Sequence, residues 1–291
     1  MSPAFFPLLH GLAEVPGWLE LHPSVLLGCL ALGAGYWALV GPLRKKHGWS
    51  AERVGTGRVI AWALGVAIIT GSLNGPLHAL SDQFLFSAHM VQHILLMLVM
   101  PPLLIIGVPP WLIRRALRHP RVRAVGRALT HPGIAFVAYN LVFLGWHFPA
   151  AYNAALLNHD LHIVQHLMFM TVAVMMWWPV VAPVPELERI PDGPLLMLYV
   201  FAFGVPSTIL SAFITMSDGV LYSFYGLAPR ISALGPLDDQ RLGGLIMWIP
   251  GMLIFWIAIS AIWFRWTREE YAEWRAESRA EARALSPAAH V

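Results

Sequence analysis

Of 291 residues, 57% are hydrophobic and only 12% are charged, about half the charged fraction of an ordinary soluble domain, and the mean hydropathy is +0.62. This balance excludes a soluble enzyme and a disordered scaffold, and predicts one polytopic membrane bundle. The formal charge of +3 invites a nucleic-acid reading, but the Lys and Arg residues are distributed as membrane topology requires, so no nucleic-acid partner is expected.

In chain order, the first segment (1–23) has no Lys or Arg. It therefore lacks the charged start of a cleaved signal peptide. Phe5, Phe6, Trp18 and Leu19 suit a retained segment lying in the outer interface. Seven apolar runs free of Asp, Glu, Lys and Arg come next, at 24–40, 59–73, 84–106, 132–148, 161–182, 195–216 and 242–264. Lipid-facing backbone must satisfy its own hydrogen bonds, so these are predicted as helices and the fold class as all-α, a seven-helix transmembrane bundle over 24–264. The tail 265–291 is predicted as a charged helix with Arg275, Arg279 and Arg283 on one ridge and Glu269, Glu273, Glu277 and Glu281 on another. Pro206 and Pro250 are expected to kink their spans, with Ser207, Thr208 and Ser211 as candidates to satisfy the freed carbonyls.

Lys and Arg number 5 in 41–58, 6 in 107–131, 1 in 183–194 and 5 from Arg265 onward, whereas the opposite segments hold only Arg230 and Arg241. By the positive-inside rule the N-terminus lies outside and the tail lies in the cytoplasm. Arg265 and Arg268 are then placed to meet anionic headgroups of the lipid bilayer.

The most informative local feature is a duplicated nonapeptide. The run from His89 through Gln92 and His93 to Met97 recurs 73 residues later from His162 through Gln165 and His166 to Met170, with five of nine positions identical. Each copy is preceded by another histidine, His78 and His147. The two copies lie on spans running in the same direction, so they read as parallel repeats of a helical hairpin, related by an axis along the membrane normal. Residues four apart share a helix face, which makes stripes of His89, His93, Met97 and Met100 and of His159, His162, His166 and Met170. At about 1.5 Å rise per residue, His93 and His166 fall about 8 to 13 Å below the outer helix ends. His47, His119 and His131 fall in basic inner loops, and His10 and His22 are outer but isolated.

One such histidine would pass as interhelical glue, worth about 0.6 kcal/mol in membrane bundles. Six or seven gathered on one side argue for a metal or cofactor, because ionisable groups within spans are costly and by default functional. Cys29 is the single cysteine, which leaves no disulfide framework and no CxxC motif. Softer or harder ligands than thiolate must therefore carry any metal chemistry. Imidazole suits several metals, but thioether selects copper(I), so Met97 and Met170 favour copper over zinc. Gln92, Gln165, Asn74, Asn140 and Asn153 are candidates for the hydrogen bonds that fix the ring tautomers. Two histidine pairs at equal depth would also serve as axial ligands of a b-type haem, which is the alternative reading. A transporter is disfavoured because no acidic coupling group lies within a span. Asp239, Gly243 and Met247 repeat the four-residue spacing of His89, His93 and Met97, which hints at a degenerate third hairpin with Asp239 either at the site's mouth or capping a helix. No arrangement of nucleophile, base and acid and no phosphate loop is present, so no catalysis is assigned.

The run from Phe86 to His93 followed by Met100-Pro101-Pro102, together with Asp239-Gln240 before Gly243-Gly244 and Met247-Trp248, resembles the CtaG family of caa3-type cytochrome c oxidase assembly factors. The resemblance implies a multi-pass protein of the bacterial cytoplasmic membrane that helps copper reach the CuB centre. Its implied partners are a haem-copper oxidase subunit and a copper donor chaperone. It also implies motif histidines at His89, His93, His162 and His166 and a motif aspartate at Asp239. With His78, His147, Met97 and Met170, these make the expected metal-binding set.

Overall fold

The computed structural model describes residues 21–181, 183–187 and 190–284. The proposed interfacial segment lies almost wholly outside them. The described residues form helices joined by short turns, with no strand among them. In order these are α1 (Pro23–Val40), α2 (Pro42–His47), α3 (Thr56–Ser72), α4 (Gly75–Gln83), α5 (Phe86–Gly107), α6 (Pro110–Ala116), α7 (Pro120–Thr130), α8 (Pro132–His147), α9 (Pro149–Leu157), α10 (His159–Val181), α11 (Pro194–Thr215), α12 (Ser223–Leu227) and α13 (Pro236–Ala284). The all-α expectation holds. Five helices are long and apolar enough to cross a membrane, and up to seven spans result if the bent pairs α3–α4 (46°) and α7–α8 (64°) each count as one. The last span and the tail as far as Ala284 form one continuous helix, the 49-residue α13.

The duplication in sequence is a duplication in structure. A long helix, a nine-residue helix and a returning helix make up both α3–α4–α5 and α8–α9–α10. A shorter version, with the five-residue α12 as connector, is formed by α11–α12–α13. Helix α5 is central: its first half packs on α13, its second half on α3, and α10 crosses it. Two glycines permit the close approaches of α13. A Cβ at Gly243 would collide with the Phe86 ring, and one at Gly244 would sit 2.9 Å from the Thr215 backbone nitrogen. Helix α1 packs on α2 and α3 and stays largely exposed.

Helix α5 is not uniform, for a reason visible in its sequence. Pro101 has no N–H to offer the Met97 carbonyl four residues earlier. The helix relaxes to a π turn over Leu95–Val99, and the Trp177 indole N–H donates to the stranded Met97 carbonyl at 3.1 Å. The extra residue per turn re-aims the side chains beyond it, which corrects the expected single stripe. Met97 joins the main core, whereas Met100 packs with Cys29, Leu96 and Met170 on another face. At Pro206 helix α11 continues unbroken, and the Ser211 hydroxyl donates to the Ser207 carbonyl rather than to the one that Pro206 frees.

Candidate metal centre

The three hairpins place their connectors and helix starts at one end of the bundle, and the histidines meet there. His89 and His93 on α5 face His162 and His166 on α10: ring centroids are 5.5 Å apart for His89–His162, 6.0 Å for His89–His166 and 5.9 Å for His93–His166. His147, at the end of α8, stands 5.8 Å from His93. All five are buried. His78 on α4 reaches the same cluster through Asp82, with Nε2 3.4 Å from the carboxylate. The structure therefore brings together all six predicted histidines.

Donor counting fixes several tautomers. The Tyr225 hydroxyl has one proton and lies 2.6 Å from the Ser81 carbonyl, which can only accept. At 3.1 Å from the same hydroxyl, His89 Nδ1 must then donate to it, which leaves a lone pair on His89 Nε2. That atom is 2.7 Å from His93 Nε2, so His93 carries its proton there and its Nδ1 is bare. His147 Nδ1 donates to the Phe143 carbonyl at 2.7 Å, so its Nε2 is bare as well. Gln92 donates to the Ser72 carbonyl at 2.6 Å and to His78 Nδ1 at 3.3 Å, turning the His78 Nε2–H toward Asp82. His162 Nδ1 lies 3.2 Å from the same carboxylate.

Buried ring nitrogens without a hydrogen-bond partner remain at His93 Nδ1, His147 Nε2, His162 Nε2 and both nitrogens of His166. Among the described residues, one set of three donors converges within 4.8 Å: Asp82, His162 and His166. The phenols of Tyr152 and Tyr225, on the connectors α9 and α12, are pushed well above the usual tyrosine range by burial. They stand neutral beside the cluster, with Tyr152 5.3 Å and Tyr225 6.5 Å from the His89 ring.

Two cavities adjoin the rings. The larger, about 540 Å³, runs between α1 and α10 with His22, His78, Asp82, His159, His162 and His166 at its polar end. Cys29, Met100 and Met170 lie along its apolar floor. Its exposed wall residues Gly28, Leu32, Leu167 and Thr171 show that it opens sideways from the bundle. The smaller, about 30 Å³, is bordered by His93, Met97, His147 and Met247. The predicted thioethers are thus divided, Met170 on the larger cavity and Met97 on the smaller.

Asp239 is placed differently from a ligand in the cluster. Fully buried, it accepts from the backbone N–H groups of Phe86 (2.7 Å) and Ser87 (3.3 Å) and from the Ser87 hydroxyl. It caps α5 from another helix, where a carboxylate complements the helix dipole, and so anchors the helix that carries His89 and His93. Among the amides, Gln165 Oε1 and Asn140 Oδ1 have no partner, whereas Asn153 accepts the Phe224 N–H at 3.1 Å and tethers α12.

One residue, Asp82, escaped sequence reasoning, and another, His22, was set aside as isolated although it lies against His78 and His159. Asp82 lies just before a predicted span, and its four-residue spacing from His78, the same interval as in the His-x-x-x-His motifs, is the signal that could have found it. His22 stacks edge-on to His78 at 4.5 Å and donates its backbone N–H to Asn74 at 2.7 Å. No local pattern signals that placement.

The chain is 28% identical over 265 residues to uncharacterized proteins of Mycobacterium bovis and Mycobacterium tuberculosis, covering 83% of this chain and 38% of each relative. It is 26% identical over 267 residues to one of Mycobacterium leprae, covering 84% of this chain and 39% of the relative. The chain thus spans about two fifths of the length of these relatives. No solved structure matches it. The family model for the cytochrome c oxidase caa3 assembly factor matches residues 34–269, and the chain belongs to that family.

Proposed function

We propose that the chain is a non-enzymatic copper-handling factor in haem-copper oxidase assembly. In this reading the histidine cluster faces the outside of a bacterial cytoplasmic membrane, takes copper from a donor, and hands it to an oxidase subunit docked alongside for the CuB centre. Membership of the assembly-factor family supports the role, and the sidedness of Lys and Arg supports the orientation. The observation that carries the copper reading is the set of bare, buried ring nitrogens. His166 is the clearest case, because one of its nitrogens carries a proton and the other a lone pair, yet neither has a partner. Leaving such a group unsatisfied costs about 1–3 kcal/mol, and a bound cation recovers it at a lone pair. The thioethers of Met97 and Met170, bordering the cavities that the imidazoles line, favour copper over zinc.

The test is metal analysis of the purified full chain beside a variant with His89, His93, His162 and His166 all changed to Ala. The wild type is expected to hold copper and the variant to lose it, with no Soret band in either. Copper retained by the variant overturns the proposal, and a Soret band in the wild type establishes the haem alternative.

A further inference from the structure

The predicted ligands do not surround one point. They divide between two cavities of different chemistry, and this division goes beyond a single copper site. At the outer end, Asp82, His162 and His166 converge within 4.8 Å on the sideways-opening cavity. That set is carboxylate and imidazole, suited to a hard or borderline divalent ion as well as to copper. On the other side of the His93 ring, the small cavity of about 30 Å³ is bordered by His93, His147 and Met97. That set is imidazole and thioether, a copper(I) donor set, in a space fit for one small occupant.

The geometry points to two cation stations, an open one at Asp82, His162 and His166 and a buried one at His93, His147 and Met97, between which an ion passes by ligand exchange. This inference rests on the copper reading above.

Three observations carry it. The rings form a continuous line, with centroid steps of 4.4 Å from His162 to His166, 5.9 Å to His93 and 5.8 Å to His147. Adjacent ligands therefore lie within reach of one ion moving between them. His166, in the middle, has neither nitrogen engaged, so its ring is free to serve either side. Finally, the buried station is prepared without a metal. His147 Nδ1 is committed to the Phe143 carbonyl and His93 Nε2 to His89 Nε2, which leaves His147 Nε2 and His93 Nδ1 as unpartnered lone pairs. An ion entering there displaces no proton from either ring. A ring held by a hydrogen bond at its far nitrogen is the usual state of a metal-ligating histidine.

The experiment is anaerobic titration of the purified full chain with copper(I) against a chromophoric copper(I) chelator, repeated with zinc(II) present as a competitor for the open station. The wild type is expected to take up two equivalents, one of which zinc(II) displaces. D82N should weaken the zinc-sensitive equivalent at least tenfold and leave the other. M97L combined with H147F, which replaces both side chains by apolar groups of similar size, should remove the zinc-insensitive equivalent and leave the other. Thermal unfolding of each variant separates loss of a site from loss of fold, and M97L alone provides a milder version of the second arm. Saturation at one equivalent, or both variants depleting the same equivalent, overturns the two-station inference while leaving the copper reading standing. Uptake of no copper at all overturns both.

Discussion

Tyr225 shows how much of the centre is set by hydrogen bonds outside any ligand set. Its single proton goes to the Ser81 carbonyl, which obliges His89 to donate from Nδ1 and to offer at Nε2 the lone pair that takes the His93 proton and leaves His93 Nδ1 bare. Y225F removes that acceptor and frees the imidazole to choose its tautomer. Copper affinity should fall about 10- to 100-fold, measured by competition with a chelator, and an unchanged affinity would show that the phenol does not orient His89. Asp239 predicts the opposite pattern. Because its carboxylate is spent on the N-terminus of α5, D239A should lower stability by about 1–3 kcal/mol, read as a drop in melting temperature. Under conditions where the variant is folded it should retain bound copper. Loss of copper without loss of stability would make Asp239 a ligand. Copper occupancy should also fall as pH is taken from neutral into the acid range, because a ligating ring must be neutral. Equilibrium dialysis across that range checks it.

Helix α5 owes the separation of its methionines to a local exception in helix geometry. Pro101 strands a carbonyl, the helix takes a π turn, and Trp177 on α10 supplies the missing donor. The same step separates Met97 from Met100 and sends them to different cavities. W177F keeps an aromatic ring but loses the donor, and is expected to cost about 1 kcal/mol, seen as a lower denaturation midpoint. No change would mean that water or a shifted backbone serves the carbonyl equally well. This element also marks the limit of what sequence could tell. The helices, their hairpin repetition and the meeting of six histidines were legible, because apolar run length and four-residue spacing encode them directly. The π turn was not, because periodicity presumes 3.6 residues per turn throughout. The cap by Asp239 was also hidden, since it joins residues more than 150 positions apart, and a sequence pattern sees only neighbours.

Across the whole molecule, the three hairpins gather their short connectors, and with them Tyr152, Tyr225, Asp82 and the histidines, at one end. The basic loops and the continuous α13 tail lie beyond the other ends of the spans. The orientation is argued from where 17 of 19 Lys and Arg residues fall. A cysteine introduced as R279C in a C29A background should react with an impermeant maleimide only when the cytoplasmic face is accessible. Labelling from the outside of intact cells would invert the topology and move the histidine cluster to the wrong side for extracytoplasmic copper.

The most direct measurement is X-ray absorption at the copper edge of the purified, copper-loaded chain. Outer-shell scattering from two or more imidazole rings is predicted for the wild type, and its disappearance is predicted when His89, His93, His162 and His166 are all replaced by Ala. A copper spectrum without imidazole scattering in the wild type, or the same spectrum in both proteins, would contradict the account.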